Sequence, residues 1–214
     1  MKEEIFNSLK IAMKNYNSED ATALAMKSIE EKINPLETVN TLTESIAEIG
    51  NRFERGELFL PDLMMAAKTM RSAIVPLEED IKNKGLKRET VGKVVIGTVF
   101  GDLHDIGKGM VATMLNANGF EVVDIGVNVD SKKFLEAIKK YNPDVLAMSS
   151  LLTTTAPEQE RVIKALKDDG SRDKVKIMIG GGSITEDFAE KIGADGYEPT
   201  APLAVKLAKR LIDK

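Results

Sequence analysis

The only histidine of the 214-residue chain, His104, lies in a loop rich in glycine and aspartate. The loop reads Gly-Asp-Leu-His-Asp-Ile-Gly-Lys-Gly over 101–109 and follows a β-branched run that is typical of a buried strand. An imidazole beside carboxylates at such a place suits a general base or a metal ligand. The alternative, a solvated histidine without a role, is disfavoured by the position and by the flanking residues.

The available donors limit which metal His104 could bind. Zinc centres use three or four histidine, cysteine or carboxylate ligands, and this chain has one histidine and no cysteine. A single imidazole suffices where a macrocycle supplies the other donors. Haem would usually bring a second axial residue or an apolar helical pocket, and neither is evident in the sequence.

A dinucleotide site is the competing hypothesis for the same loop. Gly107-Lys108-Gly109-Met110-Val111-Ala112 fits the G-x-G-x-x-G/A pattern, and Asp130 follows at about the expected ~20 residues. In dinucleotide folds the first glycine follows its strand almost directly, whereas a polar stretch intervenes here. An NAD-dependent oxidoreductase would also need a substrate domain, for which the sequence shows no segment.

Residues 1–82 are predicted to form four helices. Two short amphipathic segments come first, around Ile5–Met13 and Ala21–Ile29. Two longer apolar stripes at spacings of three and four follow, made of Val39, Leu42, Ile46, Ile49 and Phe53, and of Leu63, Ala67, Met70, Ile74, Leu77 and Ile81. This periodicity predicts a four-helix bundle. Asn34-Pro35 marks a helix start, and Pro76 predicts a kink or a break in the last helix.

Residues 83–92 are polar and aperiodic and are predicted to be a linker, and residues 93–214 alternate strands with helices. Strands are predicted at 93–100, 121–127, 144–150 and 176–182, with a short fifth around Asp195–Tyr197. Helices are expected near 107–118, 131–141, 156–168, 184–192 and 200–213. Continuous apolar runs indicate a parallel sheet. The predicted fold class is α + α/β, a bundle followed by a doubly wound, flavodoxin-like, five-stranded domain that binds ligands beyond the strand ends.

Four motifs in order resemble those of corrinoid-binding methyl-transfer proteins. Asp102-x-His104-x-x-Gly107 resembles the Asp-x-His-x-x-Gly signature of base-off/His-on domains, in which a protein histidine replaces the lower base of the cofactor. The others are Ser149-Ser150-Leu151 at the third strand, Gly180-Gly181-Gly182 at the fourth, and Phe59-Leu60-Pro61 in the helical part. Together the motifs span nearly the whole chain, and the stand-alone corrinoid proteins of methylamine, methanol, betaine and methoxyaromatic methyltransferase systems are the expected relatives.

The resemblance implies a corrinoid, methylcobalamin or a related cobamide, with His104 as the cobalt ligand and Asp102 bonded to its other ring nitrogen. It implies a shuttle that takes a methyl group from a substrate-specific methyltransferase and gives it to a methyl-acceptor methyltransferase, without catalysing a complete reaction alone. A reductive activation protein is a further implied partner. The implied cofactor contacts are Asp102, Leu103, His104, Asp105, Ile106, Gly107, Ser149, Leu151, Thr153, Thr155, Gly180, Gly181, Gly182 and Tyr197, with Phe59, Leu63 and Met64 from the bundle as a cap.

Two other corrinoid classes and two partner classes are disfavoured by the sequence. A corrinoid-dependent mutase would need a substrate barrel, and a corrinoid-sensing regulator would need a DNA-binding module. The net charge of −4 is evenly spread, so nucleic acid is not an expected partner. The sequence shows no signal peptide and no apolar run of ~20 residues, so a cytoplasmic protein without membrane contact is expected.

Overall fold

The computed structural model describes residues 1–86 and 90–213, and it divides into two compact units, Met1–Glu89 and Thr90–Lys214. Residues 87–89 of the predicted linker lie outside the described residues. The last helix of the first unit includes Asn83, which the sequence analysis placed in the linker.

The first unit is the predicted four-helix bundle. Its helices are α1 (Lys2–Lys14), α2 (Ser18–Glu30), α3 (Pro35–Glu54) and α4 (Leu60–Asn83). α4 packs against α2 and α3, while α1 packs against the same two helices. The core consists of stripe residues that are almost fully buried, including Leu9, Met13, Leu42, Ile46, Leu63, Met70 and Leu77. The predicted apolar stripes are therefore the bundle core.

Side chains near the helix starts satisfy backbone N–H groups that have no partner within the helix. The Asn34 side chain accepts a hydrogen bond from the Leu36 N–H at 3.0 Å, and Pro35 is the first residue of α3, as predicted. At the start of α4, the Phe59 N–H donates to the Asp62 carboxylate at 2.8 Å. The break considered at Pro76 is wrong, because α4 continues through it. Buried neighbours such as Ala73 and Leu77 pack in the core on either side and offset the missing proline N–H.

The second unit is the predicted α/β domain. Its strands are β1 (Lys93–Thr98), β2 (Glu121–Asp124), β3 (Val145–Ser149), β4 (Lys176–Gly180) and β5 (Gly196–Tyr197). They form one parallel sheet in the order β2-β1-β3-β4-β5. The helices are α5 (Ile106–Ala117), α6 (Ser131–Tyr141), α7 (Pro157–Asp168), α8 (Glu186–Ile192) and α9 (Ala201–Ile212), with a 3-10 turn at Arg172–Lys174.

Helices cover both faces of the sheet. α5 and α9 pack on each other and on the strands. α6 packs on α7 and on β1. β1, β3 and β4 are almost entirely buried, as their continuous apolar runs predict. β2 lies at the sheet edge and is only partly buried, so burial on both faces does not explain its apolar run.

The strand register brings three loops to one edge of the sheet. Thr98 of β1 pairs with Ser149 of β3, which pairs with Gly180 of β4. Three segments therefore leave the sheet side by side: the His104 loop (99–105), the Ser150 segment (150–156) and the glycine loop (180–183). This is the carboxyl edge, where doubly wound sheets bind ligands.

Within residues 1–86 and 90–213, no helix combines the length and the apolar character that crossing a bilayer requires.

Candidate functional site

The site is built around Asp102, whose side chain is completely buried. Its Oδ1 accepts hydrogen bonds from the backbone N–H of His104 at 3.0 Å and from the His104 ring at Nδ1, at 2.6 Å. Its Oδ2 accepts from the Leu151 N–H and from the Thr155 hydroxyl, both at 2.8 Å. One carboxylate thus joins the His104 loop to the Ser150 segment.

These hydrogen bonds keep Asp102 ionised. Burial by itself would raise the pKa of a carboxyl group, because it removes water from the charged form. The donors from His104, Thr155 and Leu151 outweigh burial and hold the pKa of Asp102 well below its usual range. Asp102 is therefore an acceptor only, and the ring contact requires that Nδ1 of His104 carries the hydrogen.

The tautomer of His104 follows from this contact. With a hydrogen on Nδ1, the neutral ring has its lone pair on Nε2, the nitrogen that Asp102 does not occupy. The His104 side chain is 52% exposed although its partner is fully buried. The structure therefore presents an oriented imidazole with its basic nitrogen directed away from the carboxylate, as in metal sites where a carboxylate fixes the ligand.

The hydroxyl that extends this network belongs to Ser150 rather than Ser149. Ser150 Oγ and Thr155 Oγ1 are 2.8 Å apart, and both side chains are buried. Ser149 is the last residue of β3 and is half-buried beside Gly180. Ser150 is the first residue after β3, and its hydroxyl is the one that lies beside Thr155. The Thr155 hydroxyl donates to Asp102, and Thr153 is exposed.

The glycine loop packs against the Ser150 segment. Gly181 has φ +138, and a Cβ built on it would lie 1.7 Å from the Ser150 carbonyl oxygen, so no other residue fits there. A Cβ on Gly182 would lie 2.7 Å from the Leu151 side chain. Gly180 has ordinary space around it. Tyr197, on the neighbouring β5, is half-buried and packs against the core.

The glycines at the start of α5 differ from those of the glycine loop, because a Cβ at Gly107 or Gly109 would meet nothing within 4 Å. Asp105 precedes α5, and its carbonyl accepts the Gly109 N–H. Gly107 lies inside the helix rather than in a turn directly after β1. Asp130 caps α6 by accepting the Lys133 N–H at 2.8 Å. These placements contradict the dinucleotide hypothesis, whose glycines and acidic residue have other roles here.

Exposed apolar side chains accompany His104. Two loops of the site and the first residue of α5 contribute large hydrophobic residues with at least two-fifths of their surface exposed: Phe100, Leu103, Ile106, Leu151 and Leu152. Leu103 is 70% exposed and Ile106 60% exposed, and they lie on either side of His104 in the sequence. Several large apolar side chains exposed at one edge of a sheet are typical of a binding surface.

The proposed cap residues of the first unit differ in exposure. Phe59 and Met64 are exposed, at 72% and 37%. Leu63 is 1% exposed, because it occupies a core position of α4, and the structure therefore corrects its assignment to the cap.

The part of the chain that the structure describes contains no cluster of three or more histidine, cysteine, aspartate or glutamate side chains able to bind a metal ion. The sequence analysis missed several residues that hold the His104 loop. Ser150 was quoted only as the middle of a motif. Thr98, whose hydroxyl donates to the His104 carbonyl at 3.0 Å, and Asn128, whose side chain accepts the Gly101 N–H at 2.8 Å, carried no signal.

Known proteins share both the sequence and the fold. A B12 binding domain family matches residues 92–206, and a second B12 binding domain family matches residues 5–77. The chain is 43% identical over 212 residues to the dimethylamine corrinoid protein of Methanosarcina barkeri, which covers 99% of each chain. It is 40% identical over 213 residues to the trimethylamine corrinoid protein of the same organism, covering 99% of this chain and 98% of that one. The solved structure of the methanol:cobalamin methyltransferase complex from Methanosarcina barkeri superposes with a TM-score of 0.84 at 30% identity, covering 100% of this chain and 82% of that one.

Proposed function

The chain belongs to the B12-binding corrinoid proteins of methyltransferase systems, and from this premise we propose that it carries methyl groups on a corrinoid whose cobalt is bound by His104. The observation that carries the proposal is the orientation of the only imidazole. Asp102 holds Nδ1–H at 2.6 Å, and Nε2 is left with its lone pair on a half-exposed ring. This orientation supports a base-off/His-on arrangement, in which a protein nitrogen would take the place of the cofactor's own base.

The surroundings of His104 suit a large planar ligand. A corrin ring is broad and mostly apolar, and the exposed side chains of Phe100, Leu103, Ile106, Leu151 and Leu152 offer such a surface. The open space beside Gly107 leaves room for the cofactor's tail next to α5. Among the described residues, the buried Ser183 Oγ has no hydrogen-bond partner, and Ser183 is the last residue of the glycine loop. A polar tail would satisfy that atom.

When bound, the corrinoid supplies a cobalt centre that accepts and releases a methyl group. The residues of the chain hold and orient it. His104 would bind the metal through Nε2, while Asp102 keeps the hydrogen on Nδ1 and fixes the orientation of the ring. Thr155 and the Leu151 N–H fix the carboxylate, so that the imidazole would keep its direction with or without a metal bound.

The proposal includes the first unit and the partner proteins. The exposed side chains of Phe59 and Met64, at the start of α4, would shield the methyl-bearing side of the cofactor from water. The relatives are named for dimethylamine and trimethylamine, and one similar structure is a methyltransferase complex. We accordingly propose a substrate-specific methyltransferase and a methyl-acceptor methyltransferase as partners. A reductive activation protein, which would reduce cobalt that has become oxidised, is a third proposed partner.

Electron paramagnetic resonance of the reconstituted Co(II) protein tests His104. Because the chain has one histidine, labelling with ¹⁵N-histidine marks this residue alone. The labelled wild type should show nitrogen superhyperfine coupling altered by the isotope. His104→Ala should lose the coupling but retain part of its corrinoid, since the apolar surface and the tail contacts remain.

Coupling that is identical in labelled and unlabelled wild type would exclude His104 as the ligand. A His104→Ala variant that still shows a protein nitrogen on cobalt would lead to the same conclusion.

A further inference from the structure

The segment between β2 and α6, residues 124–129, contacts β1 and the His104 loop. The Thr98 N–H donates to the Gly126 carbonyl at 3.0 Å, and the Val129 N–H donates to the Thr98 carbonyl at 3.0 Å. The 124–129 segment therefore continues alongside β1 beyond the end of β2. The last residue of the segment, Val129, pairs with Val99, the first residue of the His104 loop.

Asn128 contacts the backbone of two consecutive residues of the His104 loop, Gly101 and Asp102. Its side-chain Oδ1 accepts the Gly101 N–H at 2.8 Å, and its backbone N–H donates to the Asp102 carbonyl at 3.0 Å. Its φ is +53, in the left-handed region that asparagine adopts more readily than most residues. Asn128 thus holds Gly101 through its side chain and Asp102 through its backbone N–H.

The segment is itself fixed at its start. The Asp124 carboxylate accepts the Gly126 N–H at 2.9 Å through Oδ1 and the Lys108 ammonium through Oδ2. Lys108 is 5% exposed and lies in the first turn of α5, directly after the His104 loop. A buried ammonium needs such a partner, so this ion pair joins the segment to α5.

The other side of the His104 loop is held by β1. The buried Thr98 hydroxyl donates to the His104 carbonyl at 3.0 Å, and the Asp102 N–H closes a turn on the Val99 carbonyl at 3.2 Å. Gly101, with φ +78, is the third residue of that turn. Gly101 and Asp102 lie between Thr98 and His104, and the 124–129 segment holds them through Asn128.

We infer that Asn128 is a positioning residue for the cobalt ligand: it fixes the Gly101–Asp102 backbone, and through it the direction in which Asp102 holds His104. The inference rests on the proposed function for its consequence in cofactor binding, but its first step concerns the cofactor-free protein. Without the Asn128 acceptor, the Gly101 peptide can rotate, and the carboxylate then meets Nδ1 in more than one geometry.

Asn128→Gly isolates the side-chain hydrogen bond, since glycine keeps φ +53 without strain. Asn128→Asp retains the acceptor and tolerates the same backbone, so it should behave like wild type. Asn142→Gly is the matched control: Asn142 also has a positive φ, of +44, but it ends α6, and none of the contacts described around His104 involves it.

Ring ¹⁵N chemical shifts of the only histidine report its tautomer in the protein without cofactor, at a pH where the ring is neutral. Wild type, Asn128→Asp and Asn142→Gly should show predominantly the Nδ1–H tautomer. Asn128→Gly should shift toward the mixture of a free imidazole, with unfolding temperature near that of Asn142→Gly. Affinity for hydroxocobalamin should fall about tenfold, as for loss of an outer partner of a metal ligand.

An Asn128→Gly variant with the wild-type tautomer and wild-type affinity would overturn the inference, as would a free-imidazole mixture in wild type. If wild type binds no corrinoid while Asn128→Gly still changes the tautomer, the proposed function fails and the positioning role stands. Coupling from His104 in wild type that weakens in Asn128→Gly supports both.

Discussion

At the scale of residues, two oxygens of one carboxylate decide what the imidazole can do. Asp102 accepts hydrogen bonds from His104, Leu151 and Thr155 while fully buried, and its low pKa keeps it an acceptor at neutral pH. His104 is therefore confined to one tautomer before any ligand arrives. Such preorganisation reduces the ordering that binding would otherwise require.

Asp102→Asn should lower the unfolding free energy of the cofactor-free protein. The amide of asparagine places N–H groups where the donors of His104, Leu151 and Thr155 already converge. Leaving buried donors unmatched costs about 1–3 kcal/mol of unfolding free energy at neutral pH. The folded-state pKa of Asp102 is depressed, so its contribution is present above its unfolded pKa and is lost as pH falls toward the folded value. The stability difference between wild type and variant should therefore shrink between about pH 5 and about pH 2.

Urea unfolding of both proteins across that pH range measures the difference. A Thr153→Ala variant, altered at an exposed position of the same segment, should follow wild type. A wild-type advantage that is constant down to about pH 2 would contradict the assignment of a low pKa to Asp102.

Gly107→Ala should separate stability from cofactor binding. A Cβ at Gly107 meets nothing within 4 Å, and alanine suits a helix better than glycine, so unfolding free energy should stay equal or rise by about 0.5–1 kcal/mol. If the open space is where the cofactor's tail lies, corrinoid affinity should fall nevertheless. Thermal unfolding of the cofactor-free protein and hydroxocobalamin titration measure the two effects.

Gly109→Ala is the control for that substitution, since Gly109 is in the same helix with equally open surroundings. Two residues along a helix correspond to about 200°, so its Cβ points to a different side. Equal affinity in wild type and Gly107→Ala would show that the space beside Gly107 is not used by the ligand.

At the scale of elements, α4 keeps its helical path through a residue that lacks an N–H. Pro76 removes one intrahelical hydrogen bond, yet the helix is continuous from Leu60 to Asn83. Helices in proteins depend largely on packing of their apolar face, and the core residues of α4 continue on both sides of Pro76. The hydrogen bond is therefore missing while the packing is retained.

Pro76→Ala should stabilise the bundle. Alanine restores an N–H that can donate to the Ser72 carbonyl, and the gain should be about 1 kcal/mol after the added freedom of the unfolded chain is subtracted. For a unit of this size such a gain raises Tm by about 4–8 °C. Calorimetry of the full chain, with the transition of the first unit followed separately, measures it.

Pro61→Ala serves as the comparison within the same helix. Pro61 is the second residue of α4, where an N–H has no intrahelical acceptor, so alanine regains no such bond. If both substitutions raise Tm equally, the explanation by the missing hydrogen bond is wrong.

At the scale of the whole molecule, each unit has its own core, and the proposed metal ligand belongs to the second. A ligand that binds only the folded form stabilises it by mass action, by about 2.7 kcal/mol at a free concentration 100 times its Kd. Hydroxocobalamin should therefore protect the amides of the second unit from hydrogen exchange. His104 and Leu151, whose N–H groups hydrogen-bond to Asp102, should be among the most protected.

The same exchange experiment tests the cap role of the first unit. If Phe59 and Met64 shield the cofactor, amides at the start of α4 should also exchange more slowly with corrinoid bound. His104→Ala, measured at equal occupancy, should retain that effect because the ring contacts remain. Slower exchange in the second unit alone would refute the cap proposal and leave the corrinoid site intact.

The sequence by itself determined the order of elements and their faces, because apolar spacing reflects which side of a helix or strand must leave water. The stripes of the bundle, the buried strands and the Asn34-Pro35 helix start follow from such local patterns. The motif around His104 also indicated a corrinoid, through its resemblance to the motif of corrinoid-binding methyl-transfer proteins. The helix break considered at Pro76 was wrong because packing along the whole of α4 outweighs one local hydrogen bond.

Only the tertiary structure decided which side chains meet at the sheet edge. Ser150, the first residue after β3, contacts Thr155, whereas Ser149 pairs with Gly180 inside the sheet. Leu63 and Met64 are adjacent in sequence, yet the bundle buries one and exposes the other. Asn128 reaches Gly101 across 27 residues of sequence, and a contact made by chain crossover leaves no mark in local spacing.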